Sequence, residues 1–90
     1  MTHIVLMKLT DFADAPKAVE LLEGLAARVP ELRTISVAVD TLRTQFSYDL
    51  ALVTTHDDAE GLRAYQAHQA HQDVVAWLGP RLAGRAIVDY

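Results

Sequence analysis

Thr2-His3-Ile4-Val5-Leu6-Met7-Lys8-Leu9 is dense in β-branched and large apolar residues and too short for a helix standing alone, so residues 2–9 are expected to form a strand. Alternation sends His3, Val5, Met7 and Leu9 to one side and Ile4, Leu6 and Lys8 to the other. Both sides are apolar. Each therefore needs a cover, and the strand lies between two layers.

Downstream, Asp14-Ala15-Pro16 offers a side-chain acceptor followed by a proline early in a first turn, which predicts a helix running to about Arg28. Val19, Leu22, Leu25, Ala26 and Val29 recur at three and four and form its buried stripe. Gly24 costs about 1 kcal/mol relative to alanine there unless it permits close packing, and Pro30 stops the helix. Arg33 to Asp40 alternates as a second strand, and Thr41 to Ser47 is a polar, long and mobile connection. Tyr48 to Thr55 is a third strand with Tyr48, Leu50, Leu52 and Thr54 on one face, antiparallel to the second. Asp57 and Asp58 cap a second helix that carries Leu62 and Tyr65 inward. A short helix from Gln72 to Leu78 presents Val74, Val75, Trp77 and Leu78 before Gly79-Pro80, and Arg85 to Tyr90 closes as a strand.

The order is strand, helix, strand, strand, helix, short helix, strand. It predicts an α+β, ferredoxin-like βαββα(α)β fold, with an antiparallel sheet and helices on one face. Residues 1–90 are expected to make one domain, since a chain this short has no room for a second core. Nothing is left over to cover the other sheet face. Leaving several hundred Å² of it in water would forfeit on the order of 10 kcal/mol, comparable with the whole stability of a small domain. The expectation is a homodimer joined sheet to sheet through the open face, closing an α+β barrel.

With a net charge of −4 and basic residues scattered singly from Lys8 to Arg85, no stripe exists to attract phosphates, so no nucleic-acid partner is expected. The start Met1-Thr2-His3-Ile4-Val5 lacks a positive n-region and the apolar runs are short. Neither a signal peptide nor a membrane span is expected, and the expected location is cytoplasmic. The chain has no cysteine, so its small core has no disulfide to support it.

Residues 65–71, Tyr65-Gln66-Ala67-His68-Gln69-Ala70-His71, concentrate titratable side chains. On one continuous helix, spacing of three brings Tyr65, His68 and His71 along one face, within reach of a small molecule. Imidazole titrates near neutral pH, and a phenol can hydrogen-bond a carbonyl oxygen that is gaining charge. Solvated or purely structural histidines are the competing reading. His3 on a buried strand lines a cavity or makes a structural hydrogen bond, and His56 is expected in solvent at a strand end. Metal binding by His68, His71 and Asp73 lacks the spacing of known sites, and no metal is expected.

Four marks in order resemble a known family, the stress-responsive A/B barrel domain (Dabb) group of dimeric α+β barrels. They are His3 followed by Ile4 to Leu9, Tyr48-Asp49-Leu50, Tyr65-x-x-His68-x-x-His71, and a final Asp89-Tyr90. The chain is also similar to a member of that family, a plant polyketide cyclase that forms olivetolic acid by cofactor-free aldol condensation. The resemblance implies His71 and Tyr65 as catalytic residues, with His71 the base and Tyr65 polarising the oxygen. It also implies His3 and His68 around the same cavity, with no cofactor. Val5, Met7, Tyr48, Leu50 and Trp77 complete the expected substrate-binding set. Two departures are visible: Leu50 stands where the cyclase has a pocket histidine, and no tyrosine lies among Val19 to Ala27. Gln69 stands where many members have proline, so the helix is expected to continue through the motif.

The implied function is a small-molecule-binding barrel, with a His/Tyr acid–base cyclase or isomerase acting on a ketide-like or aromatic carbonyl compound. A non-catalytic stress-responsive or ligand-binding protein is the alternative. A cofactor-independent monooxygenase, supported by Trp77 alone, comes third.

Overall fold

The computed structural model describes residues 1–90. Strand β1 (Thr2–Leu9) is followed by helix α1 (Ala15–Glu23), β2 (Thr34–Val39), β3 (Leu50–Thr55), α2 (Ala59–Ala67), α3 (Gln69–Leu78) and β4 (Leu82–Asp89). The four strands form one antiparallel sheet in the order β2-β3-β1-β4. This is the expected ferredoxin-like architecture, with helices on one face.

β1 is an inner strand, paired with β3 on one edge and β4 on the other. Its inward residues His3, Val5, Met7 and Leu9 are buried, together with Leu50, Leu52 and Thr54 of β3. They meet Ala15, Ala18, Leu22 and Leu25 from α1 and the turn after it, and Leu62, Tyr65, Ala70, Val74 and Leu78 from α2 and α3. On the opposite face Ile4, Leu6, Ala51 and Val53 stay half-buried, Ala38 and Ala86 are exposed, and Val88 is 59% exposed. A shallow depression of about 310 Å³ lies at that face's β2 side, bounded by Leu6, Ala38, Phe46, Tyr48, Leu50 and Ala51.

Several boundaries differ from the sequence expectation for identifiable reasons. Asp11, not Asp14, supplies the cap: its carboxylate accepts from the Ala13 N–H at 2.9 Å, so a 3-10 turn at Phe12–Asp14 precedes α1. The expected helix to Arg28 stays α-helical only to Glu23 and tightens to a 3-10 turn at Gly24–Ala27. A Cβ on Gly24 would meet nothing within 4 Å, so close packing is not the reason for this glycine, and Ala26 is exposed rather than in the stripe. β4 begins at Leu82, three residues early, because Leu82 pairs with Leu9 across a bulge at Lys8/Leu9.

The connection from residue 40 to residue 49 is tied down by polar contacts. Asp40 accepts from the Arg43 N–H at 2.7 Å, and Arg43 adopts a left-handed φ of 56° that places its guanidinium 3.5 Å over the Phe12 ring. The anchor is Asp49, buried at 1% exposure, whose carboxylate accepts from Arg43 Nη1 at 2.6 Å, Leu9 N–H at 2.7 Å and Lys8 Nζ at 3.2 Å. Burial alone would raise this carboxyl, but the bonds from Arg43, Leu9 and Lys8 outweigh it and hold Asp49 below the usual carboxylate value. Asp49→Ala leaves the Leu9 N–H unpaired in the interior and two cations without their anion. The loss is expected at about 2–3 kcal/mol, below the full cost of a broken buried pair because Lys8 and Arg43 are partly in water. The midpoint of urea unfolding reads it. A carboxyl that is lowered on folding stabilises the fold above about pH 4 and stops doing so as pH falls through its folded value. The acid limb of wild-type stability should therefore shrink in the variant.

Candidate active site

Between the sheet and α3, at the β4 side, lies a cavity of about 110 Å³. Its floor is Val5 and Met7 of β1 and Leu52 of β3, its helical wall is Val74 and Leu78, and the exposed Ile87 of β4 lies at its rim. Four polar side chains reach it: His3, Gln66, His71 and Arg85.

His3 is 4% exposed, and its Nδ1 is bonded to the Asp89 carboxylate. Antiparallel pairing of β1 with β4 sets these two residues directly opposite each other. A buried imidazole needs a partner, and Asp89 supplies it. With Nδ1 engaged, Nε2 is the nitrogen left for a ligand.

His71 reaches the cavity because the chain breaks just before it. The helix expected to continue through the motif ends at Ala67, and His68 takes an extended conformation (φ −63°, ψ 139°). The His68 Nδ1 accepts from the Ala70 N–H at 3.0 Å and so caps α3. A side-chain acceptor at the cap thus starts a new helix without proline. His68 is consequently outside the cavity lining, and His71 sits in the first turn of α3. Burial holds the His71 imidazole below its ordinary value; the Gln66 carbonyl bonded to the ring opposes this, and a charge on nearby His3 reinforces it.

Tyr65 is fully buried behind His71, their rings edge to face at 4.6 Å between centroids. Its hydroxyl is sealed from the cavity and has no hydrogen-bond partner, and burial pushes it up to about 12. On its far side the His56 ring lies 4.9 Å away. His56, expected in solvent, is 3% exposed; its Nδ1 bonds the Glu31 carbonyl and its Nε2 the Thr54 hydroxyl, each at 2.9 Å. The inward alternation Leu50, Leu52, Thr54 extends one step to His56, and that signal was present in the sequence.

Of the residues selected from the sequence, His3, Val5, Met7 and His71 converge on one cavity. Tyr48 and Leu50 border the open-face depression instead. Trp77 is half-buried, with the Arg81 guanidinium 4.2 Å over its ring. Asp89, Gln66 and Arg85 were not anticipated as site residues. Their placement depends on strand register and on the helix break. No three His, Asp or Glu side chains gather to hold a metal, and no helix is long and apolar enough to cross a membrane.

Comparison with known proteins places the fold and the family. An uncharacterized protein of Streptomyces coelicolor is 36% identical, covering 98% of this chain and 95% of its own. A dimeric ferredoxin-like protein of unknown function from Thermobifida fusca superposes with a TM-score of 0.87 at 32% identity, over 99% of this chain and 87% of that one. The hydroxynitrile lyase of Passiflora edulis shares the fold, with a TM-score of 0.85 over 99% of this chain and 89% of its own, at 11% identity. The family model of the stress responsive A/B barrel domain, Dabb, matches residues 1–90, and the chain belongs to that family.

Proposed function

We propose that two copies of this chain close a barrel through their open sheet faces, and that each keeps a cavity in which a small carbonyl compound with an apolar or aromatic body is enolised. The observation that carries this reading is the pair of imidazoles on one apolar cavity, one tied to a carboxylate and one kept neutral by burial. A charge on His3 disfavours a charge on His71, so the two divide the roles of acid and base. Neutral His71 takes the proton alpha to the carbonyl and becomes imidazolium. The carbon–hydrogen electron pair moves into the enolate, whose oxygen takes its hydrogen bond at Nε2 of His3, the ring nitrogen that the Asp89 contact leaves facing the ligand. Reprotonation at a different carbon gives isomerisation, and attack on a second carbonyl of the same molecule gives cyclisation. In isomerisation His71 gives its proton to the new carbon, and in cyclisation it gives it to the alkoxide formed from the attacked carbonyl, so both imidazoles end as they began and no cofactor is consumed.

The oxygen-polarising part expected of Tyr65 passes to His3 in this proposal, because the Tyr65 hydroxyl is sealed behind the wall. Tyr65 is a positioning residue for His71. Dimerisation is supported by the dimeric Thermobifida relative and by the exposed apolar face, and the cytoplasm remains the proposed location.

The reading is tested by exchange of alpha hydrogens for deuterium in acetophenone, phenylacetone and benzoylacetone, followed by NMR in D2O. Exchange above the buffer rate by at least about a hundredfold is expected for one or more of these. Saturable binding of all three with no exchange would instead support a ligand-binding protein without turnover.

A further inference from the structure

Arg85 is the only lysine or arginine on the cavity, and like Arg28 and Arg63 it forms no ion pair, whereas the other five basic side chains do. It lies opposite Met7 in the β1–β4 register and so on the cavity side of the sheet, two and four residues along from Ile87 and Asp89 on the same face. Its side chain is exposed, which puts it at the mouth rather than the floor. The one carboxylate nearby in that row, Asp89, is already engaged by His3. An unpaired guanidinium thus stands at the rim of a cavity otherwise lined mostly by apolar groups, on a chain with a net charge of −4.

We infer, building on the ligand cavity proposed above, that the natural ligand is a small organic acid: its apolar or aromatic body fills the cavity beside His71, and its carboxylate is held at the mouth by Arg85. Size agrees with this division. At about 110 Å³ the cavity is below the roughly 150 Å³ apolar cavity known to hold a benzene, so it admits at most one ring or a short chain, and any charged group remains at the rim. A guanidinium fork matches the two oxygens of a carboxylate, and a rim position spares the ion pair most of the desolvation cost of burial. The same anchor fixes which end of the ligand enters first and so which carbon faces His71. An inward charge on an edge strand can also serve only to discourage pairing with other strands. That reading gives Arg85 no preference among ligands.

Benzoate, phenylacetate and hexanoate are titrated against the corresponding neutral amides at pH 7.5, with NMR resonances of the His3 and His71 rings as the readout. In the wild-type protein each acid is expected to bind about tenfold tighter than its amide. R85Q is expected to lose that difference while binding the amides unchanged, and R85K to keep part of it. Equal affinity for acid and amide in the wild type, or an acid preference that survives in R85Q, overturns the role of Arg85 and leaves the cavity reading intact. If neither acids nor amides move the His71 resonances, the cavity reading fails and takes this inference with it.

Discussion

His71→Ala lowers alpha-hydrogen exchange by at least about a hundredfold, the usual contribution of a positioned base, while the fold and the assembly persist. The ring lies at the cavity wall in the first turn of α3, with Val74 carrying the buried packing of that turn's neighbour, so alanine removes the base without removing the core contact. The pH dependence has a defined sign. Because burial lowers the His71 value, the neutral, basic form persists below the usual imidazole titration near pH 6.5, and the acid limb of the rate profile falls there and not above it. Tyr65→Phe separates positioning from chemistry. It keeps the ring edge against His71 and deletes a buried hydroxyl that has no partner, so exchange stays within a few-fold of wild type and thermal stability is equal or higher. A loss with Tyr65→Phe as large as with His71→Ala would transfer the oxygen-polarising role back to Tyr65.

The L6E/V53E double substitution is expected to leave a monomer if two copies pair through the open sheet face as proposed. Leu6 lies on β1 and Val53 on β3, the two inner strands, both facing away from the helices. In an interface related by a two-fold axis each copy would bring two carboxylates to the middle of an apolar surface, where unpaired charges cost about 2–5 kcal/mol. The dissociation constant is expected to rise about a thousandfold, which sedimentation velocity at micromolar concentration reads directly. Far-UV circular dichroism distinguishes a folded monomer from an unfolded chain. A wild-type protein that sediments as a monomer at those concentrations would remove the open face as the interface.

The architecture was legible because it depends on local pattern. Period-two alternation in β1 and β3, the apolar spacing of α1 and the capping Asp58, which accepts from Gly61 N–H at 2.8 Å, each state a local preference that the tertiary fold did not have to overrule. Element ends were less legible. The sequence pointed to Asp14 as the cap, whereas the side chain that accepts a free N–H is Asp11, one 3-10 turn earlier.

The sequence by itself determined the layer order, the inward set His3, Val5 and Met7, and the need to cover a second apolar face, because each follows from side-chain polarity repeated at the period of the backbone. Tertiary structure decided the composition of the site. His3 meets Asp89, 86 positions away, only through antiparallel pairing of the first and last strands, and Arg85 reaches the cavity mouth through the same register. His68 and His71, equivalent as letters three apart, part company because one imidazole caps the helix that carries the other. Those outcomes depend on which strands pair and which side chain captures a free N–H, and both are contacts that composition and spacing along the chain do not encode.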